Sequence, residues 1–261
     1  MISDEEQQEL APVESPETKD VQEVPPLSIP DYVHELVMRA RQAAGRLATL
    51  STVVKNNALI AMADALDEKT AALMEANEKD VEAFGTEPDK TAMADRLRLT
   101  EQRIADMSAG IREVAKLPDP LGDMPKMWTR PNGMQVGRVR VPIGVIGIIY
   151  ESRPNVTADS AALCLKSGNA CVLRGGSEAI HSNTAIAAVL AEAAEKSGIP
   201  PGAISFVDRP DRELVPVLLK QDRFIDLIIP RGGPSLMKTI AEHASRDEVR
   251  QVIAWVREIV P

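Results

Sequence analysis

The sequence has few aromatic residues and no long apolar run. Aromatic side chains make up 3% of the 261 residues, so the hydrophobic core has to be built from aliphatic side chains and methionine. No apolar run approaches the roughly 20 residues that a membrane-spanning helix needs. The N-terminus is acidic rather than basic, which argues against a secretory signal. We therefore expect a cytoplasmic protein with no membrane partner.

Cysteine and histidine are equally scarce. Cys164 and Cys171 lie among apolar neighbours and have neither the number nor the spacing of a disulfide framework or a zinc site. We interpret both as buried small hydrophobic side chains. The histidines at 34, 181 and 243 are scattered, without the spacing of a catalytic triad or a metal site. The sequence thus predicts no metal site.

Positive charge is in deficit, because the formal net charge is −9. Residues 1–30 carry eight acidic residues against one lysine and show almost no periodic apolar pattern. Such a segment cannot bury enough apolar surface to offset its chain entropy, so a disordered acidic tail is predicted. No basic surface of the kind that binds nucleic acid is indicated, and we expect no nucleic-acid partner.

Apolar residues at helical spacing follow this tail and predict long N-terminal helices. Asp31 is the expected N-cap of the first helix. A second helix carries Leu59 on its apolar face and continues to a break near Gly85. A third begins at about Thr100. We expect these helices to form a scaffold rather than a site.

Short apolar runs then alternate with helical segments. The runs cover residues 143–150, 170–173, 204–207 and 224–229, and the helical segments cover residues 155–166, 181–196 and 211–219. This alternation is typical of right-handed βαβ units, so it predicts an α/β fold with a Rossmann-like parallel sheet and flanking helices. An alternating stretch over residues 127–141, with a Pro-Asn-Gly turn, predicts a hairpin that leads into the sheet.

Glycine-rich segments follow two of the predicted strands. Gly175-Gly176-Ser177 and Gly232-Gly233 each precede a helix, where backbone N–H groups can face an anion. A tight turn that requires a positive φ explains the glycines equally well, and no G-x-G-x-x-G fingerprint is present. Ligands of open α/β sheets bind at the carboxyl ends of the strands. The sequence therefore leaves two interpretations of these glycines: a nucleotide or phosphate site, or a pair of plain turns.

Polar side chains share this edge with the glycines. Arg153 and Arg174 each end a predicted strand, where a guanidinium can hold phosphate or form a surface ion pair. Asn155 can stabilise an oxyanion, although an N-cap is the commoner role for asparagine before a helix. Glu151 lies beside the same turn and can act as a base, but its context does not distinguish it from an ordinary exposed carboxylate.

The segment from residue 130 to 183 resembles the gamma-glutamyl phosphate reductase family, also called glutamate-5-semialdehyde dehydrogenases. It reads RPNGMQVGRVRVPIGVIGIIYESRPNVTADSAALCLKSGNACVLRGGSEAIHSN, and further similarity lies at RLRLT (96–100), KLPDP (116–120) and IDLIIPRGG (225–233). The resemblance covers about residues 33–245. It implies membership of the aldehyde dehydrogenase superfamily and a domain organisation in which residues 31–245 form an NADPH-binding domain with N-terminal helices.

The resemblance implies NADPH-dependent reduction of L-glutamate 5-phosphate to L-glutamate 5-semialdehyde and phosphate, in proline biosynthesis. In this family a cysteine thiolate attacks the acyl phosphate, phosphate leaves, and hydride reduces the resulting thioester, so covalent catalysis divides one difficult step into two. The resemblance also implies a homo-oligomer and a contact with glutamate 5-kinase.

Site residues follow from the same resemblance. Asn155 is similar to the asparagine that helps form the oxyanion hole, and an arginine at position 174 suits the 2′-phosphate of NADPH. Substrate contacts are implied for Ser152 and Arg153. The segments expected to bind the cofactor comprise Arg174, Gly175, Gly176, Ser177, Glu178, Gly232 and Gly233.

The sequence also departs from the family. Members carry their nucleophilic cysteine in a Cys-Asn motif within a catalytic domain, and neither cysteine here is followed by asparagine. From Arg246 onward the family pattern is lost, so we predict a non-family C-terminal helix over residues 246–261 and a truncated or frameshifted product. The alternative to an enzyme is therefore a catalytically inert nucleotide-binding fragment.

Overall fold

The computed structural model describes residues 27–85, 91–151 and 153–243. Most of the predicted acidic tail, and all of the predicted helix over residues 246–261, lie outside the described residues. The first helix, α1 (Ile29–Leu47), begins two residues before the predicted cap. Ser28, and not Asp31, is the N-cap, because its hydroxyl accepts a hydrogen bond from the Asp31 N–H at 3.4 Å. Pro30 is tolerated in the first turn, where its missing N–H has no helical partner.

Four helices follow α1 before the chain reaches the sheet. They are α2 (Thr52–Glu68), α3 (Thr70–Phe84), α4 (Thr91–Leu97) and α5 (Glu101–Lys116). The prediction of one helix up to Gly85 was wrong, because the chain bends at Lys69 without a glycine or proline to mark the break. The start of α5 was predicted correctly, since the Thr100 hydroxyl caps this helix by accepting a hydrogen bond from the Arg103 N–H at 3.2 Å. None of the described helices is long and apolar enough to cross a membrane.

The predicted parallel sheet is confirmed. Its strands lie in the order β5-β4-β3-β6, and every neighbouring pair is parallel. The strands of the molecule are β1 (Lys126–Thr129), β2 (Gln135–Arg138), β3 (Val145–Tyr150), β4 (Ala170–Arg174), β5 (Ile204–Phe206) and β6 (Leu227–Arg231). The first two form the predicted antiparallel hairpin. The later helices are α6 (Asn155–Lys166), α7 (Ile180–Lys196), α8 (Leu214–Leu219) and α9 (Pro234–His243).

Strand β6 lies further along the chain than predicted. It covers Leu227–Arg231 rather than residues 224–229, so Arg231 reaches the carboxyl end of the sheet. Pro230 lies inside this strand, which is compatible with the edge position of β6, because an edge strand does not need every backbone N–H for pairing. Phe224 instead belongs to the preceding turn, where its ring packs edge-on against His34 at 5.2 Å between ring centroids.

The sheet buries both of its faces. Val145 and Ile149 of β3 point into a cluster with α1, α8 and α9, whereas Ile146 and Ile148 point into a second cluster with α2, α5, α6 and α7. This alternation explains why the strands read as continuous apolar runs, as expected of a parallel sheet covered by helices on each side. Gly168 ends α6 with a φ of +72°, a backbone conformation that favours glycine, and this turn directs the chain into β4.

A buried ion pair joins α2 to the segment that follows α5. Lys55 is 1% exposed, and its Nζ lies 2.7 Å from Oδ2 of Asp119. The same carboxylate accepts hydrogen bonds from the Thr52 hydroxyl at 2.6 Å and from the Leu121 N–H at 3.0 Å. Burial alone would raise the pKa of the Asp119 carboxyl, but the hydrogen bonds from Lys55 and Thr52 outweigh burial and lower it.

Candidate functional site at the carboxyl edge of the sheet

The carboxyl ends of β3, β4 and β6 lie level with one another. In the strand register Ile149 is opposite Arg174, and Tyr150 is opposite Arg231. The turn after β3, the loop after β4 and the Gly232-Gly233 turn after β6 therefore meet at one edge. Of the residues predicted for the site, Ser152 lies outside the described residues.

Arg174 is directed inward rather than into solvent. Its side chain is buried, and the guanidinium donates hydrogen bonds to the carbonyls of Gly175 and Pro210. Its Nε is buried without a partner among the described residues. Burial lowers the pKa of Arg174, and the nearby Glu178 carboxylate opposes this shift. The side chain therefore ties the loop after β4 to the segment after β5.

The glycines of the two loops are not required by positive φ angles. Among the described residues the positive-φ glycines are others, and close packing explains the lack of a side chain at Gly175 and Gly232 instead. A Cβ on Gly175 would lie 2.2 Å from Nδ2 of Asn183, and a Cβ on Gly232 would lie 2.6 Å from Cδ of Glu151. The interpretation of these glycines as plain positive-φ turns is therefore wrong.

The N-terminus of α7 is already capped by an acidic side chain. After Gly176 the chain forms one 3-10 turn, Ser177–Ala179, before α7 begins. The carboxylate of buried Asp80 accepts hydrogen bonds from the N–H groups of His181 at 3.0 Å and Ser182 at 2.7 Å. A negative charge there is favourable for the helix. Any ligand anion in this loop must therefore use groups that precede α7.

The turn after β6 presents an N–H group that already binds a carboxylate. The backbone N–H of Gly233 donates to Oε2 of Glu151 at 3.0 Å, directly before α9 begins. A phosphate oxygen can accept a hydrogen bond from this N–H, as the carboxylate oxygen does. The turn after β6 therefore fits a phosphate of a bound nucleotide, provided that Glu151 moves away.

Asn155 is the first residue of α6, and Pro154 takes the N-cap position. The Asn155 side chain is exposed and its Nδ2 lies 3.5 Å from Oδ2 of Asp159, at the limit of a hydrogen bond. Burial raises the pKa of the Asp159 carboxyl, and Arg231 opposes that shift. Among the described residues, helix α6 has no acidic residue in its first turn and no side-chain cap, so no negative charge there opposes an anionic ligand.

Two adjacent cavities lie above this N-terminus, and we call them together the arginine cleft. The first, of about 300 Å³, is lined by Asn155, and the second, of about 450 Å³, by Tyr150 and Gly232. Both cavities are lined by Arg96 and Arg153. The charged residues around the cleft, within the described part of the chain, comprise Arg96, Arg98, Arg103, Arg153, Arg231, Asp106, Glu151 and Asp159.

Arg96 and Arg98 had no predicted role in the site. They alternate with the buried Leu97 and Leu99, so both guanidinium groups lie on the exposed side of the same segment. This alternation is visible in the sequence, but nothing in the sequence indicates that the segment packs beside α6.

A buried amide anchors the backbone of this segment. Nδ2 of Asn77 donates to the carbonyl of Leu97 at 2.8 Å, and its Oδ1 accepts from the N–H of Leu99 at 2.7 Å. The same Nδ2 lies 2.9 Å from the hydroxyl of Ser182, which is also bonded to Asp80. The backbone on both sides of Arg98 is therefore anchored to α3 and α7.

Both cysteines of the sequence are buried and free, as predicted. Cys171 is the second residue of β4, so it lies toward the amino end of the sheet and away from the cleft. A hydrogen bond with Cys164 and burial raise the pKa of the Cys171 thiol well above its usual value. Neither side chain is placed to act as a thiolate at the carboxyl edge. Within the described ranges, no group of three His, Cys, Asp or Glu side chains is arranged to hold a metal ion.

Comparison with known proteins establishes the family. Residues 2–254 match the sequence model of the aldehyde dehydrogenase family. The chain belongs to this family. Relatives called gamma-glutamyl phosphate reductase include that of Geobacter metallireducens, 55% identical over 218 residues, which cover 84% of this chain and 52% of the relative. The relative from Caldanaerobacter subterraneus is 56% identical over 207 residues, which cover 79% of this chain and 50% of the relative.

Solved structures agree with this assignment. The gamma-glutamyl phosphate reductase of Thermotoga maritima matches with a TM-score of 0.78 at 40% identity, covering 82% of this chain and 51% of that one. The Saccharomyces cerevisiae enzyme of the same name matches with a TM-score of 0.75 at 30% identity, covering 82% and 54%. This chain thus spans about half the length of the relatives that it matches. Membership of the aldehyde dehydrogenase family implies a nicotinamide cofactor.

Proposed function

We propose that this chain is the cofactor-binding part of a cytoplasmic NADPH-dependent reductase that converts L-glutamate 5-phosphate to L-glutamate 5-semialdehyde and phosphate, in proline biosynthesis. Its relatives at 55% and 56% identity carry the name of that enzyme. The observation that supports it most directly is the meeting of the loop after β4, the turn after β6 and the arginine cleft at one edge of the sheet.

The loops fit a dinucleotide phosphate in two ways. The N–H of Gly233 already binds a carboxylate oxygen at the N-terminus of α9, so a pyrophosphate oxygen can replace that carboxylate. The loop that comprises Gly175, Gly176, Ser177 and Glu178 lies beside the buried Arg174, whose charge favours the extra phosphate of NADPH. When bound, NADPH supplies the hydride for the reduction.

The residues of the turn after β3 serve the substrate in this proposal. Arg153 lines both cavities of the cleft and offers two donors to an anionic oxygen. Asn155 lies at the N-terminus of α6, where its amide and the helix dipole can stabilise a negatively charged carbonyl oxygen. Ser152 is assigned to the substrate by resemblance alone.

Self-association is a further part of the proposal. The hairpin β1–β2 and the segment after it expose apolar side chains that a partner subunit can cover, including Met127, Trp128, Val139 and Val141. A contact with glutamate 5-kinase stays a prediction from the resemblance.

A second candidate function is nucleotide binding without catalysis. The observation that favours it is the burial of both cysteines at the amino end of the sheet, with a raised pKa for the Cys171 thiol. A turnover assay with purified chain, NADPH and the acyl phosphate distinguishes the two candidates. Turnover that persists in Cys164→Ser and Cys171→Ser would show that neither thiol is the nucleophile, whereas loss of turnover in either variant would contradict the buried-cysteine interpretation.

The cofactor assignment is tested by calorimetric titration of the chain with NADPH and with NADH. Arg174→Ala is expected to raise the Kd for NADPH more than the Kd for NADH, because the positive charge beside the loop after β4 is lost. Equal weakening of both cofactors would remove the 2′-phosphate assignment. Since Arg174 is buried, thermal unfolding of the variant has to confirm that it remains folded at the temperature of the titration.

A further inference from the structure

Among the described residues, positive charge exceeds negative charge around the arginine cleft. Five arginines face three carboxylates, and the carboxylates already have partners. Glu151 accepts the Gly233 N–H, Asp106 accepts from Gln102, and Asp159 interacts with Arg231. The excess positive charge in the cleft is therefore available to a ligand.

The arginines of the cleft fall into two groups. Arg103 is committed to structure, since its guanidinium bonds to the carbonyls of Asp95 and Arg98 and to the Asp95 carboxylate. The guanidinium groups of Arg96, Arg98 and Arg153 make no ion pair or hydrogen bond to another residue within the described part of the chain. Three such groups around one cleft repel one another, and an anion placed between them removes that repulsion.

The arginines are carried on fixed backbone. Asn77 anchors the peptide groups on both sides of Arg98, and the carbonyl of Arg153 accepts the Val156 N–H at 3.0 Å in the first turn of α6. Little backbone freedom is therefore lost when a ligand binds, and this preorganisation favours affinity. Planar guanidinium groups match the paired oxygens of phosphate and carboxylate.

We propose that Arg96, Arg98 and Arg153 together bind a small dianionic ligand that carries a phosphate at one end and a carboxylate at the other. This inference rests on the proposed function and extends it, because it assigns the substrate's anionic groups to Arg96 and Arg98 as well as to Arg153. Cavities of about 300 and 450 Å³ that share two arginines offer separate places for the two anionic ends.

The experiment is a calorimetric titration of the full chain with 2-amino-6-phosphonohexanoate, a stable compound with a carboxylate and a phosphonate, and separately with NADPH. Each of Arg96→Gln, Arg98→Gln and Arg153→Gln is expected to raise the Kd for the phosphonate about tenfold and to change the Kd for NADPH by less than twofold. The arginine side chains are exposed, so folding should be unaffected, and thermal unfolding checks this. Arg46→Gln removes the same charge from the exposed end of α1, and it should change the Kd for either ligand by less than twofold.

The outcomes separate this inference from the proposed function. If NADPH binds and the phosphonate does not, or if the three variants leave the phosphonate unchanged, the inference is wrong while the cofactor assignment stands. If the variants raise the Kd for NADPH rather than the Kd for the phosphonate, the cleft binds the cofactor and the inference is again overturned. If neither ligand binds the wild-type chain, the proposed function itself fails. Arg98→Lys should recover only part of the affinity, because an ammonium keeps the charge but not the paired donors.

Discussion

The carboxylate of Glu151 accepts a hydrogen bond from the backbone N–H of Gly233 at 3.0 Å. The two residues follow neighbouring parallel strands, β3 and β6, at the edge where the candidate site lies. In the proposed function, a cofactor phosphate has to take the place of this carboxylate.

Removal of the Glu151 charge should therefore strengthen cofactor binding. Glu151→Gln is expected to lower the Kd for NADPH by about three- to tenfold, because the phosphate no longer competes with, or is repelled by, a carboxylate at Gly233. Calorimetric titration at low ionic strength measures the effect. Glu35→Gln, on the exposed side of α1, is the matched control and should change nothing. Unchanged or weaker binding in the Glu151 variant would mean that the phosphate lies elsewhere.

Gly175 should tolerate no side chain. A Cβ there would lie 2.2 Å from Nδ2 of the buried Asn183 and 3.2 Å from the Tyr150 ring, so Gly175→Ala is expected to lower the free energy of unfolding by about 1–3 kcal/mol. Gly110→Ala is the control, because nothing lies within 4 Å of a Cβ in the middle of α5. That variant should gain about 0.5–1 kcal/mol from its higher helix propensity. Urea unfolding measures both, and equal effects would contradict the close packing described for the loop.

The buried pair of Lys55 and Asp119 should make stability depend on pH. The folded state lowers the pKa of Asp119, so its contribution is complete above the unfolded pKa of about 4 and is lost as the pH falls through the folded value. Asp119→Asn is expected to cost about 3 kcal/mol at pH 7, because it leaves the Lys55 charge buried without its partner.

Urea unfolding at pH 7 and at pH values below 4 checks this prediction. The difference in free energy of unfolding between wild type and Asp119→Asn should become smaller as the Asp119 carboxyl is protonated. Asp123→Asn removes an exposed ion pair, in which Oδ2 of Asp123 lies 3.7 Å from a guanidinium nitrogen of Arg140. This substitution should lower the free energy of unfolding by less than about 1 kcal/mol. A constant difference between wild type and Asp119→Asn at all pH values would contradict the assignment of the shift to Asp119.

The parts of the fold that depend on local pattern were predictable from the sequence. Apolar runs that alternate with helical segments predicted all four strands of the parallel sheet, because strands buried on both faces need apolar residues at every position. The edge strand β6 was misplaced by two to three residues, because Pro230 was taken as the end of the strand although an edge strand tolerates it.

The parts that depend on distant contacts were not predictable. Asp80 caps a helix that begins 100 or more positions later in the chain, and no local pattern marks such a partner. Asn77 likewise joins α3 to the segment that carries Arg98 and to Ser182, 105 positions away. The edge of the sheet could be inferred from strand order, whereas the packing of Arg96 and Arg98 beside α6 required the structure.

In the proposed function, the loop after β4 and the turn after β6 bind the phosphates of a nicotinamide cofactor. Titration of the ¹⁵N-labelled chain with NADPH, followed by backbone amide shifts in NMR spectra, tests it most directly. We expect the signals of Gly175, Gly176 and Gly233 to shift with one common Kd, while those of Gly168 and Gly202, in turns at the amino edge of the sheet, stay in place. Shifts confined to other parts of the chain, or no shift at saturating NADPH, would show that these loops do not bind the cofactor phosphates.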